Sequence, residues 1–423
     1  MTIRSRHSRV AGKPVAAPRT FGRIIGLDGA RGLSCLGVAI AHIAGHYSPQ
    51  ASAETKIGLV GTTLIFFYVL SGFLLFLPYI RGLYEDRDTA RLPNTKNFVV
   101  HRIARILPGY LAIFLLVNFV FQVSYVQNAS LQPPGTDAGT GMITDPWQLA
   151  ANLTLTQSYV PKFFQTGINP AWSLTLEYAF YASLPLLGLL MYALLRRTRL
   201  SPTRIAIIPP LLLIVLGFVA KLFVPALIAH FGITSDVLLN WGPNWVAVFL
   251  RSFLANADNF AFGMLAAVVI VLMEKHLLRE GLSRRVRLYS TIALLPTAVA
   301  FVGAFLVAGG QYQTSAVAIG AALLILIMVA PLARGQDSGI ARVLDTAPMR
   351  FVGKVSLSAY LWHFPVLLLL GRWGLMAGDT VGGMVRNLVV ALAATMAIST
   401  VTYYLVERPA IQITRKYRHR WAS

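Results

Sequence analysis

The chain has 423 residues, of which 56% are hydrophobic and only 13% charged. Soluble domains carry about 25% charged residues, so a soluble globular protein is excluded. The net charge of +21 would point to nucleic acid on a soluble chain, but no contiguous polar domain exists to present such a surface. A single cysteine, Cys35, excludes an intramolecular disulfide and a cysteine-based metal site.

Residues 1–23 contain Arg4, Arg6, Arg9, Lys13, Arg19 and Arg23 and read as a basic cytoplasmic tail, expected to be disordered. No short apolar core with a small-residue cleavage site follows, so the tail is not read as a secretory signal. Apolar runs then recur at 24–47, 57–80, 106–127, 171–195, 205–229, 245–273, 288–308, 313–333, 355–375 and 384–406. Each is near the roughly 20 residues that a spanning helix needs. The expected fold is therefore all-α: a polytopic membrane bundle of about ten helices around a polar central cavity. The 245–273 run is interrupted by Arg251, Asn256, Asp258 and Asn259, with Arg251 and Asp258 read as a buried ion pair or as cavity liners.

Orientation follows from the basic residues. With the N-terminus cytoplasmic, the two tails and alternate loops hold most of the 37 Lys and Arg. Only Lys56, Lys162, Lys221, Arg251, Arg372 and Arg386 are left for outer loops and helix interiors, with Arg31 at the inner end of the first run. Both termini are expected on the cytoplasmic side. The longest outer segment, 128–170, reads as a lid or an acceptor platform, or simply as a surface loop. Residues 409–423 form a second basic cytoplasmic tail. No internal repeat or pair of broken helices of the transporter kind is visible.

The first run, Leu27 to His46, carries Asp28, Arg31, His42 and His46. A charged residue at the bilayer centre costs about 2.5–3.5 kcal/mol, so such groups face a protein interior or a wet cavity. Arg31 and His42 are eleven positions apart, about 16 Å along a helix. An imidazole titrates near neutrality and can accept a proton from an attacking hydroxyl. In a plainer reading it is a helix-packing hydrogen bonder. His46, one turn from His42, completes an i, i+4 pair, but no neighbouring acidic or thiol ligand accompanies it and no metal site is expected. Arg31 and Asp28, at i, i+3, could simply pair. Cys35 reads as a small packing residue.

LDGARG followed by His42, with ten residues between Arg31 and His42, resembles the first-helix signature of the acyltransferase-3 family of bacterial integral-membrane O-acyltransferases. FFYVLSGFLL (66–75), HRIARILPGY (101–110) and WSLTLEYAFY (172–181) resemble further motifs of that family in the same order. NFAFGMLAA (259–267), SLSAYLWHFPV (356–366) and VERP (406–409) are weaker echoes. Tyr178 stands where many members have a second Glu, and no C-terminal esterase-like domain is read after the last run.

The resemblance implies transfer of an acyl group, most simply acetyl, from an acyl-CoA on the cytoplasmic side to a hydroxyl of an extracytoplasmic glycan, glycolipid or secreted glycoside. No permanently bound cofactor is expected, and the implied location is the bacterial inner (plasma) membrane. His42 is then the general base, with Glu177 at the site either orienting His42 or binding acceptor hydroxyls. Arg31, Arg102 and Arg105 hold the donor, since guanidinium groups suit phosphate oxygens. Trp172, Ser71, Tyr181 and His363 are the candidates for substrate contact. Trp172 and Tyr181 could equally be interfacial belt residues, Ser71–Gly72 a close-packing point, and His363 a cavity liner. The rival function is a transporter or flippase using the buried His, Arg and Glu as a proton relay.

Overall fold

The computed structural model describes residues 23–85, 90–308 and 310–421. The expected tail at 1–22 and the last two residues lie outside the described residues. The main helices are α1 (Leu27–Tyr47), α2 (Leu64–Leu83), α3 (Thr95–Leu115), α4 (Trp172–Arg197), α5 (Pro202–Leu222), α6 (Phe253–Glu274), α7 (Glu280–Ala308), α8 (Gln313–Ala333), α9 (Ala347–Arg372), α10 (Val381–Thr402) and α11 (Arg408–Trp421). One two-residue β-ladder, Ser124–Tyr125 against Thr140–Gly141, lies in the segment between α3 and α4.

Local chemistry sets several of the helix starts. Asn94, Ser201 and Thr380 each accept a hydrogen bond from the backbone N–H three residues on and cap α3, α5 and α10. Gly26 precedes α1 at φ 87°, where a side chain would be strained. Short π-helical turns, Leu116–Val120 and Tyr403–Glu407, extend α3 and α10.

Among the described residues, nine helical stretches are long and apolar enough to cross a membrane. The protein is thus a polytopic all-α membrane protein. The expected first span, α1, is not among the nine, because Asp28, Arg31, His42 and His46 dilute its apolar residues. Its 21 residues still give about 32 Å of helix, enough for the hydrocarbon core. The 245–273 run is broken into a short helix, Trp245–Leu250, and α6. The third helix begins at Thr95, well before the expected 106, so Arg102 and Arg105 sit within it rather than at its start.

Two helices form the centre. The apolar windows of α6 and α9 are 78% and 83% buried, whereas that of α7 is 11% buried and faces outward. α6 packs on α2, α5 and α8, while α9 packs along α1 and against α10 and α3. Both seams depend on residues without side chains. A Cβ on Gly72 would sit 2.0 Å from the Phe260 carbonyl oxygen, and one on Gly263 1.9 Å from that of Val69. On the other seam, a Cβ on Gly32 would lie 2.7 Å from the Gly353 nitrogen and one on Gly353 2.1 Å from the Asp28 carbonyl oxygen. Small residues are what let membrane helices approach this closely.

Gly263→Ala therefore has to push α2 and α6 apart. A lowered midpoint in detergent thermal unfolding is expected, with an overpacking cost of about 1–3 kcal/mol. Gly303→Ala, where nothing lies within 4 Å, is expected to leave the midpoint unchanged or slightly raised.

Candidate active site

The α1–α9 seam puts two polar groups of α1 against α9. Near the start of α1, Arg31 donates to the Gly353 carbonyl (2.8 Å), to Ser356 Oγ (3.2 Å) and to Asp28 Oδ1 (3.1 Å). Four residues on, Cys35 is buried and its Sγ lies 3.2 Å from the Ser356 carbonyl oxygen, which fits a packing role. Farther along, His42 Nδ1 is 2.8 Å from His363 Nε2.

Arg31 opens onto a cavity lined by α1, α2, α3, α4 and α9, about 760 Å³ with its open mouth included. Its polar lining comprises Arg31, Arg102, Arg105, Ser71, Glu177 and Tyr181, with Ser173, Ser356 and Tyr360 toward α9. Glu177 accepts hydrogen bonds from Ser71 Oγ (3.1 Å) on one oxygen and from Tyr181 Oη (2.9 Å) on the other. Ser173 Oγ and Tyr360 Oη lie 2.7 Å apart, and Tyr360 also donates to the Pro170 carbonyl (3.0 Å). Arg102 places its guanidinium 6.0 Å from the Tyr181 ring centroid, and its buried Nε has no hydrogen-bond partner. Among the described residues neither Arg102 nor Arg105 forms an ion pair, so the lining carries three guanidiniums against one carboxylate. Such a cavity favours an anion with several acceptor oxygens.

Arg31, Arg102, Arg105, Ser71, Glu177 and Tyr181 thus line one cavity, which sets Glu177 with the arginines rather than with His42, and three candidates fall outside the cavity wall. His42 lies beyond it and pairs with His363. Glu177 is held by two hydroxyls of the cavity and not by His42, because it projects from α4 toward α2. His363, expected as a liner, is fully buried behind Tyr360, with their ring centroids 5.8 Å apart. Trp172 also turns away: it packs edge-on against Trp241 (5.2 Å), and Arg251 lies 3.9 Å from the Trp241 ring centroid. The close-packing role considered for Ser71–Gly72 belongs to Gly72, while the Ser71 hydroxyl faces the cavity.

The expected Arg251–Asp258 ion pair is not formed. Asp258 pairs with Lys221 (2.7 Å), and Ser315 Oγ bonds to both. Arg251 precedes α6 and turns to the tryptophans, whereas Lys221 arrives from the last turn of α5. Two polar groups near the cavity carry no expectation from sequence. Ser356 is one; a signal for it exists, since Ser356, Tyr360 and His363 follow at i, i+4 and i+7. Glu407, buried and accepting from Ser358 Oγ, is the other.

The 128–170 segment is a packed structure. Asn128 donates to the carbonyls of Phe164 and Trp241, and Gln148 donates to that of Val126. Its hairpin is tied to the bundle by the Arg372–Asp137 ion pair (2.7 Å) and by His46 Nε2 at 3.0 Å from the Thr136 carbonyl oxygen.

A chamber lined by three guanidiniums inside a polytopic helical bundle defines the class, an integral membrane protein with a cationic interior cavity. The model of the acyltransferase domain family matches residues 24–404, and the chain belongs to that family of membrane acyltransferases. It is similar to acyltransferase MdmB of Streptomyces mycarofaciens, with 27% identity over 91% of this chain and 88% of the relative. It is also similar to O-acetyltransferase OatA of Staphylococcus aureus, at 22% identity over 91% of this chain; the match spans 56% of that longer protein. No solved structure matches.

The buried ion pair yields a stability prediction. Lys221 and Asp258 are 2% and 0% exposed, so Lys221→Met strands a carboxylate in the bundle. Detergent unfolding is expected to show a loss of about 3–5 kcal/mol, and the double variant Lys221→Met, Asp258→Asn is expected to recover much of it.

Proposed function

We propose that the protein moves an acyl group, most simply acetyl from acetyl-CoA, to a hydroxyl of an extracytoplasmic glycan, glycolipid or secreted glycoside. The observation that carries this reading is the cavity whose Arg102 and Arg105 have no ion-pair partner among the described residues. Coenzyme A is a multiply phosphorylated anion, and guanidinium forks bind phosphate oxygens in pairs. In this reading both termini are cytoplasmic and the donor docks from that side at Arg31, Arg102 and Arg105. The acceptor arrives from the opposite face near the 128–170 segment. Glu177, with its two hydroxyl partners, offers a polar surface for substrate groups in the chamber.

His42 is the general base. The acceptor hydroxyl gives its proton to the imidazole as its oxygen attacks the thioester carbonyl carbon. The carbon–sulfur bond then breaks, and the departing thiolate takes the proton back from the imidazolium. Phe67 and Tyr360 both line the cavity, with their rings 6.0 Å apart, and His363 lies one turn beyond Tyr360. The thioester therefore reaches His42 when these two side chains yield. Cell-wall polysaccharide, a glycolipid such as a trehalose mycolate, and a macrolide are the acceptors to test. The OatA relative is named as an O-acetyltransferase.

Purified protein incubated with radiolabelled acetyl-CoA and each acceptor class is expected to give a labelled ester. Substrate movement across liposomes without ester formation would instead identify a transporter. His42→Ala is expected to lower transfer by about 10²-fold or more with the unfolding midpoint retained. Arg102→Ala is expected to raise the KM for acetyl-CoA by roughly tenfold or more while kcat changes less, as loss of a charge-assisted contact implies. Wild-type transfer by His42→Ala would refute the assigned chemistry.

A further inference from the structure

We propose that His363 is the positioning residue for His42, holding its imidazole in the tautomer that leaves Nε2 free to accept a proton. The inference rests on His42 being the base.

The two rings are joined edge to edge. Their centroids are 5.1 Å apart and their planes differ by 16°, while His42 Nδ1 and His363 Nε2 are 2.8 Å apart. The nitrogens are closer than two stacked ring faces approach, so the contact is an in-plane hydrogen bond with one proton between them. Which ring owns that proton depends on the other nitrogen of His363. His363 is fully buried and its Nδ1 has no hydrogen-bond partner, so the role of His42 decides the assignment. A neutral imidazole that accepts a proton at Nε2 carries its own on Nδ1, so His42 donates across the contact and His363 accepts at Nε2 with its proton on Nδ1. The bridging proton then belongs to His42 Nδ1. What remains is His42 Nε2, unprotonated and without a hydrogen-bond partner among the described residues, on a side chain that is partly exposed. Fixing one imidazole nitrogen through the bond made by the other is how second residues select a tautomer.

Packing holds the ring at that angle. Phe364 meets His42 edge-on, with centroids 5.5 Å apart and planes at 71°. The partner's neutrality has a chemical consequence. Once His42 takes the acceptor proton at Nε2, its Nδ1–H still donates to a neutral imidazole rather than to a carboxylate. An imidazolium without a facing anion gives up its proton more readily, which suits return of that proton to the departing thiolate.

The test uses membrane vesicles from source cells lacking the chromosomal copy and expressing each variant, supplied with radiolabelled acetyl-CoA; label in alkali-labile ester is measured. His363→Leu is expected to lower the maximal rate on the order of 10²-fold while half-saturating acetyl-CoA stays within about twofold. His363→Gln, whose amide oxygen can accept from His42 Nδ1, is expected to recover about tenfold of that loss. Detergent unfolding of all variants identifies any that fail to fold, and the Gln variant carries the test where Leu does. An unchanged rate in His363→Leu overturns the proposal. So does a folded His363→Gln no faster than a folded His363→Leu, because packing alone would then explain the loss. The same result with His42→Ala at the wild-type rate would instead remove the underlying assignment of the base.

Discussion

The contact on which the rest depends is the close seam between α1 and α9. Gly32 lies against the backbone of Gly353, and Gly353 against the backbone of residue 28. No side chain intervenes, so the two helices approach at backbone distance and keep a fixed register. That register sets two separate pairings at once: Arg31 with Gly353 and Ser356 near one end, and His42 with His363 toward the other. The helix acts as a ruler of about 1.5 Å per residue between them. A shift of one residue at the seam would break both pairings, which makes the glycines a condition of the site rather than of packing alone.

Placing charge in the bundle creates the second constraint. Arg31 gives three of its five N–H donors to Asp28, a backbone carbonyl and a serine, so it is anchored and its charge is paired within the protein. Arg102 and Arg105 are different: among the described residues they face the cavity without an ion-pair partner. Glu177 is not within salt-bridge reach of either and is satisfied by two hydroxyls instead. The chamber is thus polar and cationic but unneutralised, a state that an incoming anion relieves. Asp258 shows the opposite arrangement. Lys221 and Ser315 meet one of its oxygens in a tightly buried cluster that ties α5, α6 and α8 together.

The bundle was legible in the sequence because apolar runs of spanning length need no partner to be recognised. The polar seam of α1 was legible too, since Asp28, Arg31 and His42 stand out against an apolar background, and the motif resemblance picked out the arginines and, separately, Glu177. The partners were not legible. Glu177 meets Ser71 rather than His42 because the rotation of α4 against α2 decides it, and no local pattern records that rotation. Asp258 was matched with Arg251 by nearness in the chain. The helix begins at Phe253, however, so the two do not share a face, and Lys221 enters from a helix that sequence spacing could not bring near. His363 carried a usable signal in its i+7 spacing from Ser356, yet that spacing indicates a shared face and not the residue opposite.

The separation between the cavity and the histidine pair bears on how acyl transfer through a membrane can be kept safe. If His42 lined the same open chamber as the arginines, a thioester arriving there would meet water as readily as an acceptor, and a continuous polar path would also leak protons. Phe67 and Tyr360 are instead part of the cavity wall, their rings 6.0 Å apart, and Tyr360 also meets the His363 ring. Tyr360 is held by hydrogen bonds to Ser173, in the first turn of α4, and to the carbonyl of Pro170, the last residue of the 128–170 segment. On the acyltransfer reading, the wall's latch is thus attached to the side from which the acceptor comes. Displacing it costs two hydrogen bonds of about 1 kcal/mol each, which substrate binding has to offset.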